Sequence, residues 1–149
     1  MKRSEFMMGG RDVDSLTAGQ AMENRVNFCH STTPWKNIAS VLVDRGYGSL
    51  PVVDDDMNLT GIVSEDDLLE VLLEKRDENN LKAEDMMTKN PITVNEDTPI
   101  LDVIKILEDH KLIRVPVVKE SKLVGILTRR DVLFCYLQGK NKPPHGFGS

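Results

Sequence analysis

Apolar positions along the chain follow two alternating periods, and the order of these periods occurs twice. Within residues 35–42 and again within 100–107, apolar side chains fall at i, i+3, i+4 and i+7, the spacing of one helix face. Short apolar runs at 26–29 and 92–94 precede these helices. Hairpin patterns at 50–53 with 59–63 and at 115–118 with 123–127 follow them. A second helix then closes each set. The pattern predicts an α+β fold made of two β-α-β-β-α repeats.

Several landmarks show that the two sets are copies of one unit. Thr33-Pro34 matches Thr98-Pro99 at a spacing of 65, and Pro51-Val52-Val53 matches Pro116-Val117-Val118 at the same spacing. Gly61 and Gly125 are 64 apart, so the second copy has lost one residue in its hairpin turn. We therefore expect a lead at 1–15, a first repeat at 16–76, a second at 81–138 and a disordered tail at 139–149.

Local signals predict where the helices begin and which faces they bury. Thr33 and Thr98 are expected N-caps with a proline in the first turn, and Gly46 is expected to end the first long helix. The second helix of each repeat carries paired apolar residues that we expect to face inward: Leu68, Leu69, Leu72, Leu73, Val132, Leu133, Tyr136 and Leu137. One unit buries little apolar surface alone, so the two copies are expected to pack together.

Composition favours a soluble cytoplasmic protein. The 149 residues are 40% hydrophobic and 29% charged, with a net charge of −5 and a pI near 5.2, which disfavours nucleic acid as a partner. No apolar run reaches the ~20 residues of a membrane span, and residues 1–10 lack the apolar core of a signal peptide. Cys29 and Cys135 lie far apart without framework spacing, as free thiols in a reducing compartment do.

The most informative stretch is a seven-residue motif, the repeated phrase, that occurs once in each repeat. Residues 61–67 and 125–131 both read Gly, two apolar residues, a hydroxyl residue, two charged residues and Asp. Ser64 and Thr128 suit the N-cap of a helix that follows a buried strand, and Asp67 and Asp131 could complete a capping box. The carboxylates could equally receive the two hydroxyl donors of a ribose. The two roles are compatible, and both stay open here.

The duplicated unit resembles the tandem CBS (cystathionine-β-synthase) domain pair. The resemblance rests on the repeated phrase, on the Met87-Thr88 opening of the second copy and on the Pro-Val-Val strands. It implies two repeats packed sheet to sheet about a pseudo-twofold axis, with two clefts that bind adenosine compounds. It also implies a disc-like homodimer and a regulatory role without chemistry, acting on its own oligomer or on a separate regulated protein.

The resemblance further implies site residues for each cleft. Asp131 would hold the ribose, Thr128 would support the ribose or α-phosphate, and Arg114 would contact phosphate. The implied nucleotide site comprises Asp131, Thr128, Arg114, Arg130, Arg129, Ile92, Thr93, Val94, Val115 and Pro116. The equivalent second cleft comprises Asp67, Ser64, Phe28, Cys29, Leu50 and Pro51. The implied ligand is AMP, ADP or ATP, with S-adenosylmethionine and NAD ranked behind them.

The two copies differ in charge around this phrase. The second copy carries four basic residues near its helix N-terminus, which suit a phosphate: Lys111, Arg114, Arg129 and Arg130. The first has Ser49 at the equivalent of Arg114. The first copy also adds Glu65 and Asp66, which would repel one. We therefore expect a phosphorylated nucleotide at Asp131. The Asp67 cleft is expected to be empty or to take an uncharged or cationic adenosine compound.

Other chemistries find little support in the sequence. Residues 54–58 lack the pattern of a calcium loop, and Cys29, His30, His110 and Cys135 lack zinc-ligand spacing. Neither a serine-hydrolase elbow, a metalloprotease motif nor a phosphate-binding loop occurs, so we expect no enzyme. Trp35 is expected to be a core residue. Two rival functions remain: a ligand-free homo-oligomerisation or interaction module, and a cation or proton sensor that uses the acidic first cleft.

Overall fold

The structure is a computed structural model in which residues 15–138 are described. The predicted lead, apart from residue 15, and the predicted tail at 139–149 lie outside this range. Within it, two sheets and six α-helices form a mixed α+β fold, as predicted. In chain order the elements are α1 (Ala18–Ala21), β1 (Cys29–His30), α2 (Trp35–Arg45), β2 (Ser49–Val53), β3 (Leu59–Ser64), α3 (Glu65–Leu73), α4 (Ala83–Met86), β4 (Thr88–Lys89), β5 (Val94–Asn95), α5 (Ile100–Asp109), β6 (Arg114–Lys119), β7 (Lys122–Thr128) and α6 (Arg129–Gln138).

These elements form two compact units that cross the boundaries of the sequence repeats. The first-repeat unit comprises residues 27–91 and 121–123, so it includes α4 from the start of the second repeat. The second-repeat unit comprises residues 15–26, 92–120 and 124–138, so it includes α1 from the start of the first repeat. Each repeat has therefore exchanged its lead segment with the other.

The parallel strand pair of each unit has the same register as that of the other unit. In the first-repeat unit the strand order is β1-β2-β3-β4, with β1 parallel to β2 and the other neighbours antiparallel. In the second-repeat unit the order is β5-β6-β7, with β5 parallel to β6. Cys29 pairs with Val52 and Val94 pairs with Val117, which are equivalent positions of the duplication. The first strand of each repeat begins two to three residues later than the apolar pattern predicts.

The long helices α2 and α5 begin without a side-chain cap, so the prediction of threonine caps is wrong. Pro34 and Pro99 occupy the N-cap positions, and Thr33 Oγ1 instead accepts a hydrogen bond from the backbone N–H of His30. The exchanged lead segments satisfy the helix ends. The N–H of Trp35 donates to the carbonyl of Leu81, and that of Ile100 donates to the carbonyl of Leu16, both at 2.9 Å. Backbone from the other repeat thus replaces the missing caps.

Each unit has its own apolar core. The faces predicted for α2 and α5 are confirmed, with Ile38, Leu42, Val103 and Leu107 buried. The second helices bury a narrower row than predicted: Leu68 with Val71 in α3, and Val132 with Cys135 in α6. Several residues that we expected to face inward are exposed instead: Leu69, Leu72, Leu73, Leu133 and Leu137. A helix buries one face against its sheet, so apolar residues that lie outside this face remain exposed.

Candidate functional site

The repeated phrase forms the same corner in both units, where a buried strand turns directly into a helix. Strand β3 ends at Ser64 and α3 begins at the next residue, while β7 ends at Thr128 and α6 begins at the next residue. The strand residues Val63 and Leu127 are fully buried, which anchors each corner on its core. The hydroxyl and the carboxylate therefore lie at the partly positive N-terminus of a helix.

Both corners form a reciprocal capping box. The Thr128 N–H donates to Asp131 Oδ2 at 3.0 Å, and the Asp131 N–H donates to Thr128 Oγ1 at 3.0 Å. In the first repeat the Ser64 N–H donates to Asp67 Oδ2 at 2.8 Å, and the Asp67 N–H donates to Ser64 Oγ at 3.2 Å. The capping interpretation is confirmed in both copies. Capping engages Oδ2 of each half-buried aspartate, so it fixes the carboxylate in place through one of its two oxygens.

The glycine that opens the phrase is needed because another segment crosses over it. A Cβ on Gly61 would lie 2.6 Å from the sulfur of Met87 and 2.8 Å from the carbonyl oxygen of Thr88. A Cβ on Gly125 would clash in the same way with the sulfur of Met22. Backbone pairing accompanies the crossing, since Glu23 and Ile126 exchange two hydrogen bonds of 2.9 Å. The exchanged lead segments thereby close one side of each corner.

The first residue of the helix links each corner to the neighbouring strand. The Arg129 N–H donates to the Ile113 carbonyl at 2.9 Å, which brings Arg114 beside the corner of the second-repeat unit. The Glu65 N–H donates to the Gly48 carbonyl at 3.0 Å, and Ser49 pairs with Ser64 across β2 and β3. Backbone pairing therefore places residue 49 or 114 on the strand next to the hydroxyl and the aspartate of each corner.

The three arginines of the second repeat occupy different environments. Arg114 is half-buried at the start of β6, and Arg130 is exposed on the first turn of α6. The Arg129 side chain turns toward α5, because its Nε donates to the Leu112 carbonyl at 2.8 Å and one guanidinium nitrogen lies 4.0 Å from Glu108. The first turn of α3 instead holds Glu65, Asp66 and Asp67. The charged side chains beside the corner are therefore basic in the second-repeat unit and acidic in the first-repeat unit.

The remaining candidate residues lie in the first two strands of each unit or directly before them. In the second-repeat unit Val94, Val115 and Pro116 are buried, Thr93 is half-buried and Ile92 is 39% exposed. In the first-repeat unit Cys29, Leu50 and Pro51 are buried and Phe28 is 38% exposed. Since the buried side chains belong to the cores, any contact from them to a ligand would use backbone groups.

A polar pair beside the first corner was missed by sequence reasoning. The Asn27 side-chain amide donates to the Tyr47 hydroxyl at 3.0 Å, and both residues are half-buried. The equivalent positions in the second repeat are Ile92 and Leu112. Alignment of the two repeats would have indicated the pair, because polar residues of the first repeat stand opposite apolar residues of the second at both positions. The two corners therefore differ in the side chains at these two positions as well as in charge.

The hairpin turn and the cysteines, which could suggest a metal site, have structural roles. Asp54 accepts hydrogen bonds from the backbone N–H groups of Asp56 and Asn58, both at 2.9 Å, and these bonds close the hairpin turn. The Asn58 bonds lower the pKa of Asp54. Cys29 and Cys135 are buried free thiols in different cores. Within residues 15–138 no group of three or more His, Cys, Asp or Glu side chains could hold a metal ion, and no helix could cross a membrane.

Comparison with known proteins establishes the family. The sequence profile of the CBS domain matches residues 18–74 and 83–137. The chain therefore belongs to the CBS-domain family and contains two CBS domains. The first curated relatives are longer than this chain, which spans 61%, 35% and 62% of their lengths.

Three proteins of known structure or activity are similar to this chain. The crystal structure of CBSX2 from Arabidopsis thaliana in complex with AMP is 33% identical with a TM-score of 0.75, covering 85% of this chain and 99% of that one. The CBS domain pair of protein MJ0100, solved with 5′-methylthioadenosine and S-adenosyl-L-methionine, is 27% identical with a TM-score of 0.68, covering 78% and 92%. L-aspartate semialdehyde sulfurtransferase of Methanocaldococcus jannaschii is 32% identical over 69% of this chain but only 20% of its own length.

Proposed function

We propose that this chain is a non-catalytic regulatory module that binds an adenine nucleotide at the corner of Thr128 and Asp131. The observation that carries the proposal is the fixed position of the Asp131 carboxylate at a helix N-terminus. A ribose offers two adjacent hydroxyl donors to such a carboxylate, and charge-assisted bonds of this kind are strong. The AMP found on a CBSX2 structure of the same fold supports an adenosine ligand.

Basic residues select the phosphate. Arg114 and Arg130 supply guanidinium groups beside a helix N-terminus, a favourable place for an anion. Arg129 joins them if it leaves the Leu112 carbonyl, its present partner. The adenine lies against the backbone of residues 92–94 and 115–116. AMP, ADP and ATP fit this arrangement, while S-adenosylmethionine and NAD rank behind them.

The corner of Ser64 and Asp67 takes a different ligand or none. Its helix begins with Glu65 and Asp66, and Ser49 replaces the arginine of the second repeat. These carboxylates repel a phosphate, so the fitting ligands are uncharged or cationic adenosine compounds. Phe28, Cys29, Leu50 and Pro51 line this corner. The 5′-methylthioadenosine and S-adenosyl-L-methionine bound to the MJ0100 pair belong to these two classes.

Isosteric substitution of each aspartate tests the proposal. Asn at 131 keeps a capping oxygen but replaces the carboxylate that receives the ribose, so Asp131→Asn should weaken AMP binding about ten- to a hundredfold in calorimetry. Asp67→Asn, the matched control, should leave the AMP affinity unchanged. In wild type, AMP at a hundredfold excess over Kd should stabilise the fold by about 2.7 kcal/mol.

A phosphate-specific arm completes the experiment. Arg114→Ser copies the first repeat and should weaken AMP about tenfold while leaving adenosine binding unaffected. Equal losses of AMP affinity in the two aspartate variants would contradict the asymmetry. A complete lack of thermal shift with AMP, ADP, ATP, NAD and S-adenosylmethionine would contradict nucleotide binding altogether.

A second candidate function is favoured by the exposed leucines of α3 and α6. Apolar residues repeated on two surface helices are typical of an interaction surface. We propose that the module acts as a cytoplasmic homodimer whose assembly, or whose contact with a separate regulated protein, responds to the nucleotide. In the ligand-free version of this function, the dimer exists without any nucleotide response.

A further inference from the structure

The turn between α5 and β6, residues 110–113, leads directly into Arg114 and belongs to neither element. Its second residue, Lys111, has a left-handed backbone conformation with a φ of 57°. The side chain of Ile113, the residue before Arg114, is 69% exposed, so burial in the core does little to fix it. Packing alone therefore does not fix the backbone from which the Arg114 side chain projects.

Arg129 holds this turn at two successive carbonyl groups. Its backbone N–H donates to the Ile113 carbonyl at 2.9 Å, and its side-chain Nε donates to the Leu112 carbonyl at 2.8 Å. The Nε bond is charge-assisted, and such bonds are stronger than those between neutral groups. Glu108, 4.0 Å from one terminal guanidinium nitrogen, adds a weak, partly exposed ion pair. One residue of α6 thus fixes both carbonyls at the end of the turn.

The first repeat anchors the equivalent turn differently. Glu65 stands at the position of Arg129 and donates its backbone N–H to the Gly48 carbonyl at 3.0 Å. Its carboxylate accepts hydrogen bonds and has no donor for the preceding carbonyl, that of Tyr47. Tyr47 is instead held through its hydroxyl, which accepts a side-chain hydrogen bond at 3.0 Å. The side-chain bond to the turn therefore accompanies the repeat that carries Arg114, where the sequence predicts a phosphate.

We propose that Arg129 is a positioning residue for the phosphate of the nucleotide, and that it acts through Arg114 without touching the ligand. By holding the Leu112 and Ile113 carbonyls, it fixes the direction in which the Arg114 side chain leaves β6. An arginine that is ordered beforehand loses less conformational entropy on binding, so its contact to the phosphate is stronger. Arg129 stays on the Leu112 carbonyl when the nucleotide binds. This inference rests on the nucleotide site of the proposed function and assigns one residue of that site a different role.

Substitution of Arg129 in two backgrounds separates the possible roles. Arg129→Met removes the donor and the charge while keeping a similar helix propensity. It should weaken AMP binding about fivefold in calorimetry and leave adenosine binding within about twofold of wild type. In the Arg114→Ser background the same substitution should change the AMP affinity by less than about twofold, because the residue through which Arg129 acts is gone. Arg45→Met, the matched control at an exposed arginine of α2, removes one charge and should leave the AMP affinity unchanged.

Three results would overturn the proposal. Loss of AMP affinity by the same factor in both backgrounds would mean that Arg129 contacts the phosphate itself. A loss shared equally by AMP and adenosine would mean that Arg129 supports the corner as a whole. An unchanged AMP affinity in both backgrounds would mean that Arg114 needs no help from the Leu112 carbonyl bond.

A measurement without nucleotide separates this inference from the proposed function. NMR relaxation of the Arg114 side-chain Nε–H should report an ordered group in wild type, and Arg129→Met should lower its order parameter whereas Arg45→Met should not. If Arg114 loses order in this way but no nucleotide binds, the nucleotide proposal alone fails. If wild type binds AMP and Arg129→Met changes neither the order of Arg114 nor the AMP affinity, this inference alone fails.

Discussion

A left-handed residue follows the long helix of both repeats, but only the first repeat places a glycine there. Gly46 has a φ of 69°, and the equivalent Lys111 has a φ of 57°. The hydrogen bond from the Leu112 N–H to the Leu107 carbonyl, at 2.8 Å, closes a Schellman motif around Lys111. A side chain in this region costs about 1 kcal/mol relative to glycine.

The two positions therefore predict opposite effects on stability. Lys111→Gly should raise the free energy of unfolding by about 1 kcal/mol, and Gly46→Ala should lower it by about as much. A Cβ at Gly46 would meet no atom within 4 Å, so the cost there comes from the backbone conformation alone. Urea denaturation measures both. A lower free energy of unfolding for Lys111→Gly would contradict this prediction. It would mean that the lysine side chain stabilises the helix end by more than the left-handed backbone conformation costs.

Cys29 predicts how stability changes at alkaline pH. Burial raises the pKa of its thiol from an ordinary value of 9.0 to about 12. Between these values the unfolded chain loses the proton and the folded chain keeps it, so the free energy of unfolding should fall as pH rises above about 9. The full contribution is present below about pH 9. Urea denaturation across the range from pH 8 to pH 10 should show a steeper fall for wild type than for Cys29→Ala, and identical slopes would contradict the assignment.

At the scale of elements, periodicity predicted the long helices and hairpins, while contacts distant in sequence decided their ends. The faces of α2 and α5 follow directly from apolar spacing, since each helix covers its own sheet. Thr33 and Thr98 have the sequence pattern of caps, yet Leu81 and Leu16 from the exchanged leads accept the first N–H of these helices. A local signal cannot reveal a partner that the other repeat supplies.

The second helix of each repeat also shows what a local sequence pattern cannot predict. Paired leucines in α3 predicted burial, but Leu68 packs inside next to Val71 while Leu69, Leu72 and Leu73 are exposed. The sequence carried the apolar character of these positions without saying which partner covers them. The corner was easier to predict, because Ser64, Asp67, Thr128 and Asp131 form pairs that are three residues apart and their capping geometry is local. The Asn27–Tyr47 pair spans 20 residues, so no local pattern indicated it.

At the scale of the whole molecule, the exchange of lead segments makes the sequence repeat differ from the folding unit. The first-repeat unit needs residues 81–91, whose Ala83 is fully buried in its core. The second-repeat unit needs residues 15–26, whose Leu16, Ala18 and Ala21 are buried in its core. Positions 61 and 125 require glycine because a lead segment crosses each of them too closely to leave room for a Cβ atom. Duplication and reciprocal exchange together account for the glycine that opens the phrase in both copies.

This exchange predicts how fragments of the chain should fold. A fragment of residues 15–78 holds one sequence repeat but lacks the lead that caps α2 and pairs with β3, so it should show little cooperative unfolding by circular dichroism. A fragment of residues 27–91, of nearly the same length, holds the lead that its core requires and should be the more stable of the two. Mixing fragments 15–78 and 79–138 should restore structure, because each supplies the segment that the other lacks. Equal stability of fragments 15–78 and 27–91 would mean that the exchanged leads contribute little to the cores. The close crossing of the leads would then not be the reason why the repeated phrase begins with glycine.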